Sequence, residues 1–268
     1  MINIETVKTD DFEMEYFRFG TGERTMVILP GLSVKSVIKS AEAIAMAFGR
    51  FKDEYTVYLF ERVSHPREGY TVRDMADDTI IAMDSLGLSD VYLFGASTGP
   101  MIAMAIAVKR PDLIHKMVLG STTARMTPSA ENGLDMWIEA ALSGDYDELN
   151  RRFAETVFSE SFLTRYRRAV LAVLSGVTRD DAERFAVLAN GLKGYDIYDE
   201  LDKIKCPVLV IGAAQDKLLG IQPSIDLAEK LGCELYIYDG YGHAVYDEAP
   251  DYRDRIWGFF DKECVTEA

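Results

Sequence analysis

Apolar residues recur along this chain as short continuous runs, separated by longer stretches with helical spacing. Continuous runs predict strands buried on both faces, and the spaced pattern predicts helices with one apolar side. The predicted strands are residues 12–19, 26–29, 56–60, 91–94, 116–119, 208–211 and 234–238. The predicted helices are residues 37–51, 72–86, 101–108, 224–231 and 252–260. Because the two kinds alternate, we expect an α/β fold, with a mostly parallel central sheet and helices on both faces.

One long interval interrupts the alternation. Residues 122–198 carry no convincing strand pattern, but they show helical periodicity and many aromatic side chains. A connection between parallel strands needs only about a dozen residues, so this length favours an inserted all-helical cap over one long crossover. We therefore expect a core domain in two parts, residues 1–121 and 199–268, with the cap between them. The long crossover stays open as the alternative.

Composition limits the partners. The chain has 29 Lys and Arg against 44 Asp and Glu, and its net charge is −15. Such a surface repels nucleic-acid phosphates and anionic membranes, so we expect neither as a partner. No apolar run approaches the length of a membrane span. With 48% apolar residues among 268, the chain can bury the core of one large α/β domain carrying an inserted lobe.

The cysteines and the first residues indicate a reducing compartment. Cys206, Cys233 and Cys264 are widely spaced and form no CxxC pair, which argues against a disulfide framework and against a zinc knuckle. The N-terminus has neither the basic flank nor the long apolar core of a signal peptide. We therefore expect a cytoplasmic protein.

The sequence also lacks the common cofactor motifs. No phosphate-binding Gly-x-x-x-x-Gly-Lys-Ser/Thr and no HExxH occurs, and the glycines at 20 and 22 have no third glycine and no helix after them. We expect neither a cofactor nor a metal ion.

The most informative motif is Gly-Ala-Ser-Thr-Gly at residues 95–99. It lies between the predicted strand 91–94 and the predicted helix 101–108, which makes a strand, a sharp turn and a helix. A serine at such a turn is held in a strained conformation and stands clear of the sheet edge, while the glycines let strand and helix pass closely. Ser97 is therefore the candidate nucleophile.

A serine hydroxyl needs a base, and the chain has three histidines. Ligands of an open parallel sheet bind beyond the carboxyl ends of its strands. His115 precedes a predicted strand and so lies at the opposite edge. His65 follows a predicted strand in a loop, but His243 follows the strand 234–238 in Gly-Tyr-Gly-His-Ala, whose glycines allow the tight approach that a base requires. His243 is the candidate base.

The base needs a carboxylate that orients it and stabilises its charged form. Asp216 follows the predicted strand 208–211 at the same edge and is the best candidate. Other loop acids such as Asp239 are interpreted as solvated. The chain order Ser97, Asp216, His243 is typical of sheet enzymes with a nucleophile turn. It differs from the orders found in the chymotrypsin and subtilisin protease scaffolds.

With these motifs assembled, the chain resembles the α/β-hydrolase family over nearly all of its length. The matching pieces are Leu-Pro-Gly at 29–31, the turn at 95–99, the turn at Asp216, and Gly242-His243 with Asp-Glu-Ala-Pro at 247–250. The resemblance implies an oxyanion hole made by the backbone N–H groups of Leu32 and Thr98. It also implies that the helical block covers the site and shapes the acyl pocket, for which Trp137 and Phe158 are the candidate residues.

Two departures from the family pattern bear on the substrate. Many relatives have His-Gly where this chain has Pro30-Gly31. Because the oxyanion donors are backbone N–H groups, we expect the oxyanion hole to be preserved despite this change. Many also have Arg-Gly-x-Gly-x-Ser after the next strand, where this chain has Glu-Arg-Val-Ser-His-Pro at 61–66. That loop helps to wall the pocket, so the substrate of this chain does not follow from the substrate of any one subfamily.

The leading hypothesis is a serine hydrolase of small carboxylic esters that forms an acyl-enzyme. Epoxide and haloalkane chemistry normally uses an aspartate as the nucleophile, and Ser97 argues against both. Two alternatives stay open: hydrolysis of C–C bonds or lactones by the same triad, and a ligand sensor with slow turnover. We expect a small-molecule, ester-like partner, and nothing in the sequence indicates the oligomeric state.

Overall fold

A computed structural model describes residues 1–262 and contains one eight-stranded sheet. Its order is β1-β2-β4-β3-β5-β6-β7-β8, with β3 to β8 parallel and β1 and β2 antiparallel at one edge. The strands are β1 (Ile4–Lys8), β2 (Glu13–Phe19), β3 (Arg24–Leu29), β4 (Tyr55–Phe60), β5 (Val91–Ala96), β6 (Ile114–Gly120), β7 (Val208–Ala213) and β8 (Glu234–Tyr238). The α/β class predicted from the alternating pattern is confirmed.

Helices cover both faces of this sheet. They are α1 (Ala41–Ala47), α2 (Val72–Ser85), α3 (Thr98–Lys109), α4 (Pro128–Ser143), α5 (Tyr146–Val157), α6 (Glu160–Leu174), α7 (Arg179–Asn190), α8 (Gln222–Leu231), α9 (Val245–Glu248) and α10 (Tyr252–Asp261). Four of them, α4 to α7, lie between β6 and β7, and we call residues 128–190 the helical segment. The division of the chain at residues 122 and 198 into separate domains stays a prediction.

The sheet separates two apolar layers. Within β3, Val27 and Leu29 pack into one layer, while Met26 and Ile28 pack into the other. This alternation follows from the period of two along a strand, and both sets are apolar because helices cover both faces. The continuous apolar runs of the sequence are therefore explained by burial on two sides.

Two elements differ from the prediction. β1 was not predicted, because its five residues Ile4–Lys8 include charged side chains on an exposed edge. Residues 37–51 were predicted as one helix, but the structure divides them into a 3₁₀ turn, α1 and a second 3₁₀ turn at Gly49–Phe51. Cys264, which entered the cysteine argument, lies outside the described residues.

The tightest approach in the fold lies between β3 and the start of α3. A Cβ atom built on Gly99 would lie 1.9 Å from the Leu29 carbonyl oxygen of β3. No side chain fits at that separation, so α3 reaches this position only because residue 99 is glycine.

We expect Gly99→Ala to lower the free energy of unfolding by about 1–3 kcal/mol or more, because the added methyl forces the helix away from β3. Gly258→Ala is the matched control, since Gly258 is exposed within α10 and a Cβ there meets no atom within 4 Å. Its stability should stay equal or rise by about 0.5–1 kcal/mol. Urea unfolding of the two variants measures both effects. Equal stabilities would contradict the close-packing explanation.

Candidate active site

Ser97 lies at the turn between β5 and α3, as its motif predicted. Its backbone has φ +56° and ψ −105°, a left-handed conformation that a residue with a Cβ adopts only under strain. The Ser97 N–H donates to the carbonyl of Gly120 at the end of β6, with a separation of 2.8 Å. The turn is thereby tied to the neighbouring strand, and its side chain is presented at the carboxyl edge of the sheet.

His243 lies in the loop after β8, and the fold brings it to Ser97. Its Nε2 is 2.8 Å from the Ser97 Oγ, although 146 residues separate the two in sequence. The side chain is almost completely buried, with 1% of its surface exposed. A buried imidazole at this distance can accept the hydroxyl proton without competition from bulk water.

Asp216 lies in the turn after β7 and completes a continuous chain of hydrogen bonds. Its Oδ2 is 2.7 Å from His243 Nδ1. Its Oδ1 accepts the backbone N–H groups of Leu218 and Leu219, at 2.8 and 2.9 Å. Both carboxylate oxygens are therefore held, and the one facing His243 is aimed by the turn itself.

The other two histidines lie apart from Ser97. His65 is exposed in the loop after β4. The Nδ1 of His115 is 2.9 Å from a carboxylate oxygen of Asp90, at the amino-terminal edge of the parallel strands. Within residues 1–262, His243 is the histidine that the fold brings to the serine hydroxyl.

The proposed oxyanion donors are next to a small cavity beside Ser97. Leu32 and Thr98 line this cavity, whose volume is about 10 Å³. Neither backbone N–H donates a hydrogen bond to another residue in the described part of the chain. Thr98 is the first residue of α3, and N–H groups at a helix start have no acceptor in their own helix. Both groups are free to stabilise a negative charge that develops in the cavity.

Charged side chains line the same cavity, and sequence reasoning did not assign them to the site. They are Glu61 and Arg62 from the loop after β4 and Arg184 from α7. Glu61 and Arg62 are 5% and 6% exposed. Burial lowers the pKa of the Arg62 guanidinium to about 10, so it stays charged at neutral pH. The sequence did give one indication of Glu61 and Arg62: they are two charged residues that directly follow a buried strand, at the start of the loop 61–66.

Trp137 and Phe158, the candidate pocket residues, occupy different environments. Trp137 is 2% exposed and packs against Phe153 and Phe185 within the helical segment, with ring centroids 4.9 and 6.4 Å away. Phe158 is half-buried, and its ring stacks on Phe162 at 5.2 Å. Neither lines the small cavity. Their contact with a substrate stays a prediction.

The helical segment is bonded directly to the loop that carries His243. The Ala244 N–H donates to the Val157 carbonyl at 2.7 Å. The Ser159 N–H donates to the Glu248 carboxylate, also at 2.7 Å, and the Ser159 hydroxyl adds a second bond to it. A Cβ on Gly242 would lie 2.6 Å from the Ser159 nitrogen, so glycine is required where the two backbones meet.

Among residues 1–262, no group of three or more His, Cys, Asp and Glu side chains could hold a metal ion. Over the same residues, no helix combines the length and the apolar character that crossing a bilayer requires.

Comparison with known proteins adds to this geometry. A family model described as alpha/beta hydrolase fold matches residues 60–250. A proposed carbamate hydrolase, RutD of Caulobacter sp. strain K31, is 30% identical over 189 residues, which are 68% of this chain and 69% of RutD. The 3-oxoadipate enol-lactonase 2 of Acinetobacter baylyi strain ADP1 is 21% identical over 232 residues, which are 85% of each chain.

The fold also matches solved structures over almost its full length. MGS-M2, an alpha/beta hydrolase enzyme from a Medee basin deep-sea metagenome library, superposes with a TM-score of 0.87 at 23% identity. The match covers 97% of this chain and 98% of that one. The family model spans more than half of the chain, and the eight-stranded sheet agrees with it. This protein therefore belongs to the alpha/beta hydrolase fold family.

Proposed function

We propose that this protein is a serine hydrolase of small carboxylic esters, with Ser97 as nucleophile, His243 as base and Asp216 as the acid that orients the base. The observation that carries the proposal is the continuous set of hydrogen bonds from the Ser97 hydroxyl through His243 to Asp216. Family membership supports hydrolysis as the reaction class. The unbonded N–H groups of Leu32 and Thr98 supply the oxyanion donors that ester hydrolysis needs.

In the proposed mechanism, His243 Nε2 takes the proton of Ser97 as its Oγ attacks the ester carbonyl carbon. The carbonyl oxygen becomes an oxyanion, which accepts hydrogen bonds from the N–H groups of Leu32 and Thr98. The C–O bond to the alcohol breaks, and the imidazolium of His243 gives its proton to the departing alkoxide. Water then attacks the acyl-enzyme by the same steps and releases the carboxylic acid.

Lactone hydrolysis is the second candidate, because a relative named 3-oxoadipate enol-lactonase 2 aligns over 85% of this chain. A lactone is a cyclic ester, so the same residues perform the same steps and only the pocket differs. Comparing kcat/KM for short p-nitrophenyl esters with kcat/KM for small lactones distinguishes the two. A burst of one equivalent followed by stalling on every substrate would instead support a ligand sensor.

We expect Ser97→Ala to abolish covalent labelling by a fluorophosphonate probe and to lower kcat by about 10⁴-fold or more. Ser121→Ala is the control, because it removes a buried hydroxyl at the end of β6 that has no hydrogen-bond partner among the described residues. The control should label at full stoichiometry. Full labelling of Ser97→Ala would contradict the nucleophile assignment.

Asp216→Asn should lower kcat by about 10³- to 10⁴-fold, because an amide can stabilise the wrong tautomer of His243 and cannot stabilise its charged form. The matched control is Asp239→Asn, an exposed loop acid one strand away. Steady-state rates on p-nitrophenyl acetate measure both. If the control loses the activity and Asp216→Asn keeps it, the acid is misassigned.

The proposed acyl pocket predicts different outcomes for its two aromatic residues. Phe158→Ala should shift the preferred acyl chain length while Ser97 labelling persists, because Phe158 is half-buried beside the His243 loop. Trp137→Ala should mainly lower stability, by about 3–5 kcal/mol, because Trp137 is enclosed by other aromatic rings. A panel of acyl chain lengths and thermal unfolding of both variants test this. An unchanged chain-length profile for Phe158→Ala would remove it from the pocket.

A further inference from the structure

The cavity beside Ser97 is positively charged although the protein as a whole is strongly acidic. The charged side chains that line it are Glu61, Arg62 and Arg184, which together carry a net charge of about +1. The chain as a whole carries −15. The Asp216 carboxylate of the candidate site does not line the cavity and is already bonded to His243 and two backbone N–H groups. The cavity is therefore a local site of unbalanced positive charge.

The excess charge belongs to Arg62. Glu61 is occupied by other donors, since its Oε2 accepts the Val37 N–H at 2.7 Å and its Oε1 accepts the Arg62 backbone N–H and Arg184. Among the described residues, the Arg62 guanidinium donates to one carbonyl, that of Pro30. Within residues 1–262, no carboxylate oxygen lies within ion-pair distance of the Arg62 guanidinium, whereas Arg184 lies 3.4 Å from Glu61.

A buried guanidinium with no carboxylate in direct contact is costly, although the negative charge of nearby Glu61 offsets part of the cost of burying Arg62. Removing a charge from water costs several kcal/mol unless an opposite charge and hydrogen bonds compensate. A guanidinium presents five N–H donors in a planar fork that fits a carboxylate with two parallel hydrogen bonds. An anionic group in the cavity would therefore offset part of the free-energy cost of burying the Arg62 charge.

We propose that Arg62, supported by Arg184, binds a carboxylate in the acyl part of the substrate, so that the substrates are half-esters or lactones of dicarboxylic acids. This inference rests on the proposed ester hydrolysis by Ser97. The cavity is lined by Leu32 and Thr98 as well as by both arginines, so the second carboxylate lies a short chain away from the scissile carbonyl. Neither Ser97 nor His243 lines it, and because the leaving group must lie at His243 we place the carboxylate on the acyl side.

We expect the helical segment to move when substrate enters, because the cavity is small and Arg184 of this segment lines it. The cavity volume of about 10 Å³ is about that of one water-sized group. Arg184 of α7 closes it by donating to the carbonyls of Val63 and Arg62, at 3.2 and 3.1 Å. A substrate carboxylate offers Arg184 a charged acceptor in exchange for these carbonyls. The same residue then links binding of the anion to closure over the site.

The test compares matched substrates. Mono-p-nitrophenyl glutarate carries a free carboxylate, and its neutral counterpart carries a primary amide at the same position. The ratio of their kcat/KM values should be at least about tenfold in favour of the carboxylate, the size expected from one charge-assisted hydrogen bond. In Arg62→Met this ratio should fall to about one, although both rates fall because the bond to Pro30 is lost.

Two further variants separate charge from structure. Glu61→Gln removes the negative charge of the cavity, so it should raise the carboxylate preference, a direction that damage to the fold does not produce. Arg179→Met is the matched control, because Arg179 is also on α7 but is exposed and paired with Glu183. Its ratio should equal that of the unaltered protein.

The outcomes distinguish this inference from the proposed function. If Ser97 is labelled and the amide ester is hydrolysed, but the carboxylate ester is no better, the inference is wrong and the esterase proposal stands. If neither ester is hydrolysed and Ser97 is not labelled, the proposed function itself fails. Should Arg62→Met not fold, inhibition of the unaltered protein decides the question: valerate should inhibit at least about tenfold more strongly than valeramide, its neutral counterpart, and equal inhibition would overturn the inference.

Discussion

The strained turn at Ser97 is the constraint on which the rest of the site depends. Its positive φ holds the side chain clear of the sheet, and the strain persists because neighbouring elements leave no alternative. Gly99 fits against the Leu29 carbonyl, a Cβ on Gly95 would meet the backbone of α3 at 2.5 Å, and Gly120 accepts the Ser97 N–H. Three parallel strands and one helix therefore determine where the hydroxyl lies.

Burial strengthens the hydrogen bonds between the polar side chains around this turn. His243 and Asp216 are 1% and 8% exposed, so water competes little for the hydrogen bond between them. Their partners are aimed by backbone geometry, as in the turn that directs two N–H groups at Asp216. The same burial makes a charge without a direct ion pair, such as that of Arg62, costly, and this cost is the basis for proposing a substrate carboxylate.

Hydrogen bonds join the helical segment to the loops that carry His243 and Arg62. Val157 accepts from Ala244, directly after His243, and Glu248 holds the start of α6 through Ser159. On the other side of the cavity, Arg184 holds α7 to the loop after β4. A shift of the segment would therefore change both the position of His243 and the position of Arg184 at the cavity.

The sequence by itself determined the alternating strands and helices, the turn at Ser97 and the order of the three candidate site residues. It could do so because strands buried on both faces are continuously apolar, and because a strand, glycines and a helix around a serine form a local pattern. Only the tertiary structure decided that His243 lies 2.8 Å from Ser97 and that Arg184 lies 3.1 Å from the carbonyl oxygen of Arg62, in the lining of the same cavity. Those distances join residues that are far apart in the chain, and they depend on how the whole sheet twists and how the helical segment packs on it.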